Sequence, residues 1–220
     1  MIRIAIDGPS GSGKSTLAKA VSRELGIIYV DTGALYRTVG YHVFLNGKDP
    51  HNADEVAALL PDIRIELKYE NGAQRVILNG DDLGNKIRSP EMSMYASAVS
   101  AIPQVRAFLL DMQKSLAREN SVVMDGRDIG TVIIPDADVK IFLTANNETR
   151  ARRRTLELKE KGIDACFEDV LADMIERDKN DKNRDIAPAI PAEDAIIFDN
   201  SAMSVEESVK EIVRLVNERK

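Results

Sequence analysis

Residues 2–16 read Ile2-Arg3-Ile4-Ala5-Ile6-Asp7-Gly8-Pro9-Ser10-Gly11-Ser12-Gly13-Lys14-Ser15-Thr16. Residues 2–7 form a short apolar run of the kind a buried strand shows. Gly8 through Ser15 fit the pattern GxxxxGKS in full, and Thr16-Leu17-Ala18-Lys19-Ala20-Val21 opens a helix. Strand, glycine-rich loop and helix in that order make a phosphate-binding loop. The glycines let backbone N–H groups turn inward around a polyphosphate, and the helix N-terminus adds partial positive charge. Lys14 is placed to reach the β- and γ-phosphates, and the Ser15 hydroxyl to hold magnesium. Gly8, Pro9, Ser10, Gly11, Ser12, Gly13, Lys14, Ser15 and Thr16 are therefore the candidate nucleotide-phosphate residues.

Outward from this loop, strand and helix patterns alternate. Short apolar strands are expected at 2–7, 27–30, 122–125, 139–143 and 196–199. Helices are expected at 14–25, 33–45, 103–119, 148–161, 167–180 and 204–218, the last opened by a Ser204/Glu207 capping box. This alternation predicts an α/β fold, a parallel sheet covered by crossover helices. One region breaks the rhythm. Residues 63–69 and 75–78 alternate at period two around Asn71-Gly72, and Asn79-Gly80 follows. That predicts an antiparallel hairpin with a third short strand near Asp82-Leu83. The expected organisation is a core of 1–61 and 87–220 with a small β-subdomain inserted at 62–86.

Composition narrows the setting. The 220 residues are 44% hydrophobic and 30% charged, as expected of a globular core. No apolar run approaches the roughly 20 residues that span a bilayer. Arg3 and Asp7 interrupt the N-terminal apolar stretch, so no signal peptide is expected. The only cysteine, Cys166, excludes an internal disulfide framework. A cytoplasmic protein is expected. The net charge of −6 argues against broad nucleic-acid binding, and no membrane partner is expected.

A phosphate loop alone does not separate GTPases, motors, transporters and small kinases. No NKxD guanine motif and no transporter-type signature occur. Four arginine-bearing groups stand out instead. Asp31-Thr32-Gly33-Ala34-Leu35-Tyr36-Arg37 follows the second strand, where parallel sheets bind ligands. Thr32 can cap the helix or touch a ligand hydroxyl, and Arg37 can reach a phosphate. Asp125-Gly126-Arg127-Asp128-Ile129-Gly130 follows another strand, with Asp125 at its tip, one step out from a magnesium ion. Arg177, Asp181 and Arg184 share one helical face if the helix runs that far. Arg150, Arg152, Arg153 and Arg154 point about 100° apart when adjacent, so they cannot all serve one site.

Taken in order, GPSGSGKST, DTGALYR, SAIPQVR (100–106), DGRDIGT (125–131) and ERDKNDKNR (176–184) resemble the bacterial cytidylate kinases of the nucleoside monophosphate kinase family. The resemblance runs from end to end; the first segment is shared by many families, and the other four are much more specific. It implies a three-layer P-loop kinase fold with a five-stranded parallel sheet, a small antiparallel β insertion and a short lid at about 150–165. It implies phosphorylation of CMP and dCMP by Mg-ATP, with Mg2+ as cofactor; nothing in the sequence demands more than a monomer. It implies that Thr32 approaches the ribose and that Arg37, Arg127 and Arg184 surround the CMP phosphate and the transferring group. Arg177 and Asp181 then lie near the sugar hydroxyls, and Ser97, Arg106 and Asp128 read cytosine. Arg154, or its neighbour Arg153, falls in the lid. Some relatives carry glycine in place of Ser15, so the magnesium-hydroxyl role is not uniform in the family.

The base-reading set makes chemical sense. Arginine supplies only donors and ionised aspartate only acceptors. Arg106 toward N3/O2 and Asp128 toward N4 match cytosine, whereas uracil would face each with its own kind, a mismatch that rejects a near-isostere. A different small kinase, a non-catalytic nucleotide-binding regulator and an RNA-binding protein are the rival readings. Intact Lys14, Ser15 and Asp125 argue against the regulator.

Overall fold

The computed structural model describes residues 1–70, 73–160 and 162–219. β1 (Arg3–Asp7) leads into α1 (Lys14–Leu25), then β2 (Ile28–Asp31) and α2 (Thr32–Leu45). After α3 (Ala53–Leu59) come three antiparallel strands, β3 (Ile65–Glu70), β4 (Ala73–Leu78) and β5 (Asp81–Asp82). Helices α4 (Pro90–Ser100) and α5 (Pro103–Glu119) return the chain to β6 (Val122–Gly126). β7 (Val139–Thr144), α6 (Asn147–Glu160), α7 (Phe167–Asn183), β8 (Ile196–Asp199) and α8 (Val205–Glu218) complete it. The expected fold is present: a five-stranded parallel sheet in the order β2-β6-β1-β7-β8, flanked by helices, and a separate three-stranded antiparallel sheet.

The chain divides into two compact units, one of Met1–Ile27 with Ser121–Lys220 and one of Ile28–Asn120. In the first, β1 lies between β6 and β7, and its apolar residues Ile4, Ala5 and Ile6 are wholly buried. The register pairs Asp7 with Gly126 on one side and Phe142 on the other. The carboxyl ends of β1 and β6 therefore finish together, and the loops that follow, Gly8–Gly13 and Arg127–Asp128, start from one edge. That is where open parallel sheets carry ligands. Helix α8 closes this unit with the expected capping box: Ser204 Oγ accepts from the Glu207 N–H, and the Glu207 carboxylate accepts from the Ser204 N–H.

In the second unit the apolar sides of α2, α4 and α5 share one core with the antiparallel sheet, through Val39, Val99 and Leu109 and through Ile65, Val76 and Leu78. The β3–β4 register sets Ile65 opposite Leu78 and Leu67 opposite Val76. The Asn71-Gly72 turn expected between these strands lies outside the described residues. Gln74 on β4 ties the sheet to the end of β2: its Oε1 accepts from the Asp31 N–H at 2.8 Å, and its Nε2 donates to the Asp31 carbonyl at 3.3 Å.

Candidate active site

The phosphate loop is shaped by contacts that only glycine permits. Gly8 has φ +147°, and a Cβ there would lie 2.0 Å from the Leu143 carbonyl oxygen. Gly11 has φ +68°, and a Cβ there would meet Met174 Cε at 2.6 Å. The loop's carbonyls are held by side chains. Lys14 Nζ donates to Pro9 O at 2.6 Å, Arg150 Nη1 to Ser10 O at 2.7 Å and Asn200 Nδ2 to Ser12 O at 3.2 Å. Carbonyls engaged in this way leave the loop's N–H side available to an anion. Burial and the nearby Arg127 cation push the Lys14 ammonium well below the usual lysine range, against the pull of Asp125 and Asp178. An anionic ligand at Lys14 would relieve that electrostatic cost.

The Ser15 hydroxyl donates to Asp125 Oδ2 at 2.8 Å, joining the start of α1 to the tip of β6. A hydroxyl and a carboxylate are hard oxygen donors, the class that suits magnesium held jointly with substrate phosphates. The residues present thus fit a magnesium ion: Ser15 would ligate it, with Asp125 behind.

The loop after β6 carries Arg127 and Asp128, and α7 and the residue after it bring Arg177, Asp181 and Arg184 to them. Arg127 Nε donates to Asp181 Oδ2 at 2.8 Å, and Arg177 Nε lies 4.0 Å from the same oxygen. Arg184 Nη2 reaches Asp128 Oδ1 at 3.4 Å, and its Nε donates to Ala187 O at 2.6 Å. The structure therefore brings Arg127, Asp128, Arg177, Asp181 and Arg184 into one network. Burial alone would raise the Asp181 carboxyl, but Arg127, Arg177 and Arg184 together outweigh it and hold the carboxyl below its usual range. The shared helical face is corrected in one detail. Helix α7 ends at Asn183, so Arg184 lies just beyond it in extended backbone and joins the network through Asp128.

The loop's conformation depends on a residue that the motif did not flag. Asp7, the last residue of β1, accepts from the Ile129 N–H at 2.8 Å and the Gly130 N–H at 2.7 Å. These amides open a π-helical turn, Ile129–Ile133. Such turns are rare and cluster at functional sites. Burial pushes the Asp7 carboxyl up to about 7, the two N–H groups opposing.

In the second unit Thr32 is the first residue of α2, but it does not cap it. Asp31 does, its Oδ1 accepting from the Ala34 N–H at 2.9 Å. Asp31 Oδ2 also holds Arg37 and Arg88, each at 2.9 Å. Arg88 was not legible as a site residue; its only local signal is its place before the Ser89 cap of α4. Arg106, buried in the first turn of α5, donates to Ser100 O at 3.2 Å and lies 5.7 Å over the Tyr36 ring. Ser97 is on α4, where its carbonyl accepts from the Ser100 hydroxyl at 2.8 Å.

The arginine run on α6 separates as helical geometry requires. Arg150 turns to Ser10, Arg152 lies over the Phe167 ring, Arg153 grips Asn200 and Arg154 pairs with Glu157 at 2.8 Å on its own helix. It is Arg150, and Arg153 through Asn200, that connect to the phosphate loop.

A parallel sheet with a GxxxxGKS loop after its central strand, a lysine and a hydroxyl–carboxylate pair at its mouth, and Arg127 on the next loop paired with Asp181 of α7 define a phosphate-loop nucleotide-binding protein. The likeness of fold extends to an uncharacterized protein from Eubacterium ventriosum, with a TM-score of 0.53 at 14% identity over 99% of both chains. The chain belongs to the cytidylate kinase family, whose model matches residues 4–218. A cytidylate kinase of Caldicellulosiruptor bescii is 49% identical over 214 residues, 97% of this chain and 95% of that one. One from Fervidobacterium nodosum is 48% identical over 217 residues, 99% of this chain and 97% of that one. Among the described residues, no helix is long and apolar enough to cross a membrane.

Proposed function

We propose that this chain transfers the γ-phosphoryl of Mg-ATP in line to the phosphate of CMP or dCMP, giving CDP or dCDP and ADP. The observation that carries the reading is the arrangement in the first unit. The phosphate loop with Lys14, the Ser15–Asp125 pair and Arg127–Asp128 all start from one sheet edge, and Asp181 of α7 and Arg184 just beyond it pair with Arg127 and Asp128. Phosphoryl transfer asks a protein for positioning and charge neutralisation more than for covalent chemistry. Lys14 and the loop amides hold the donor's phosphates. Ser15, with Asp125 behind it, would hold magnesium, which would supply charge neutralisation at the donor's phosphates. Arg127, Arg184 and Arg37 take the acceptor phosphate and the transferring group, and Asp181, with Arg177, takes the sugar hydroxyls along with Thr32. The attacking oxygen is already an anion, so no general base is assigned.

Ser97, Arg106 and Asp128 read the base, by the donor and acceptor logic of cytosine. The lid at about 150–165, including Arg154, and the 62–86 subdomain close on the acceptor, which keeps water from the donor. A cytoplasmic monomer supplies every residue that this reading uses. The test is ADP release from Mg-ATP with CMP, dCMP, UMP, AMP, GMP or shikimate as acceptor. Turnover largely confined to CMP and dCMP supports the reading. Strong turnover of another acceptor keeps the kinase and discards the base-reading set.

A further inference from the structure

Both peptide groups of Ser10, in the phosphate loop, are taken by side chains from elsewhere. Its N–H donates to Asp178 Oδ1 at 2.9 Å, and its carbonyl accepts from Arg150 Nη1 at 2.7 Å. The two side chains also pair with each other, Arg150 Nη1 to Asp178 Oδ2. Arg150 is only 4% exposed. Its other nitrogens are fixed too: Nε donates to Ala145 O at 3.0 Å, and Nη2 donates to Asn147 Oδ1. A guanidinium so engaged has one orientation, which a lysine could not reproduce.

Arg150 comes from α6 and Asp178 from α7, and these helices pack through Ala151, Leu158, Val170 and Met174. The next loop residue, Gly11, lies against the same pair, since a Cβ there would meet Met174 Cε at 2.6 Å and the Arg150 carbonyl at 3.1 Å. The Ser10–Gly11 corner is therefore seated on α6 and α7 by two charge-assisted hydrogen bonds and a close contact. Because its N–H is spent on Asp178, Ser10 is an anchor of the loop rather than one of the amides that meet phosphate.

We infer that Arg150 and Asp178 are positioning residues that set the phosphate loop for its nucleotide, so that donor affinity depends on how α6 and α7 hold Ser10. This deepens the reading under Proposed function and takes ATP as donor from it. The two residues act through the loop: they fix the peptide before Gly11, and the amides from Gly11 onward fall into place from there. Charge-assisted hydrogen bonds of this kind are about twice as strong as neutral ones, so loosening them should show in binding.

The test uses the full chain with Arg150→Lys, Asp178→Asn and the double variant. Each is measured for ATP dissociation constant by calorimetry, for KM of ATP and of CMP, and for melting temperature. Each single change should weaken ATP binding about tenfold while KM for CMP stays within about twofold, because the altered bonds hold the donor loop. The double variant should be no worse than the weaker single one, as expected of groups in one network. An ATP affinity unchanged in folded Arg150→Lys and Asp178→Asn overturns the inference. So does equal weakening of donor and acceptor, which marks a merely structural role. Should Asp178→Asn fail to fold, Arg150→Lys, which keeps the charge, decides alone. A wild-type chain that binds ATP but does not phosphorylate CMP rejects the functional reading and leaves the comparison of ATP affinities standing.

Discussion

Asp31 is the hub of the second unit, and replacing it with asparagine isolates its charge. The side chain is almost fully buried and does three things at once: it caps α2 through the Ala34 N–H, and it binds Arg37 and Arg88 through its other oxygen. In Asp31→Asn the amide oxygen can keep the cap, but Nδ2 then faces two cationic donors. Breaking a buried ion pair by removing one partner costs about 3–5 kcal/mol. Arg88, with a side chain 37% exposed, can turn to solvent, so its share is small. Arg37, at 16%, stays with the penalty. The expected loss at pH 7 is therefore about 3 kcal/mol, toward the low end of that range. With a urea m-value of about 2 kcal/mol/M, the midpoint should fall by about 1.5 M. The pH dependence gives a second check. Burial alone would raise the Asp31 carboxyl, but Arg37 and Arg88 hold it below its usual range. Its stabilisation is thus full above the unfolded value of about 4 and is lost as pH falls through the lower native one. The gap between wild type and Asp31→Asn, read by urea melts, should close in acid. A gap below about 0.5 kcal/mol at pH 7, the size of an ordinary surface change, would refute the reasoning, as would a gap that widens in acid.

Asp128→Ala should cut kcat/KM for CMP far more than for UMP, because only cytosine offers a donor to that carboxylate; equal losses in acceptor assays would remove it from base reading. Lys14→Ala should lower kcat by about 10²–10³-fold, the usual effect of losing one positioned charge donor; steady-state kinetics with Mg-ATP would show it, and a change under about threefold would contradict the loop assignment. Asp7, raised to about 7, holds a proton in the native state that the unfolded chain releases above about pH 4. Its contribution is full below about pH 4 and is lost as pH rises through about 7, so Asp7→Asn should flatten that part of the stability profile. Urea melts from pH 5 to 8 that run parallel for the two proteins would contradict the raised value.

What was legible in the sequence was local. The phosphate loop, the strand before it and α1 are contiguous, and their chemistry is written in residues 2–25. Helix α5 (Pro103–Glu119) was readable from its proline start and apolar stripe, and α8 from its capping box. Helix α4 was missed because PEMSMYASAVS is rich in small residues and shows no clear stripe, although Ser89 caps it and Pro90 opens it. The partners of Arg127 and Arg88 were not legible, because each lies far along the chain. Arg127 meets Asp181, 54 residues away, and Arg88 meets Asp31, 57 residues away. The π-helical turn after Asp128 depends on Asp7, 122 residues before it, so no local propensity could announce it. The Arg150–154 run showed that its members must diverge, but not that Arg150, the most buried of them, faces the loop.

The central claim is that one chain carries a phosphoryl group from ATP to the phosphate of CMP. The most direct measurement follows the label from [γ-32P]ATP and magnesium with CMP, with products separated by ion exchange. The account predicts label in CDP, on its terminal phosphate, and loss of that product in Lys14→Ala. Label released only as inorganic phosphate, or left in ATP despite binding, would contradict it.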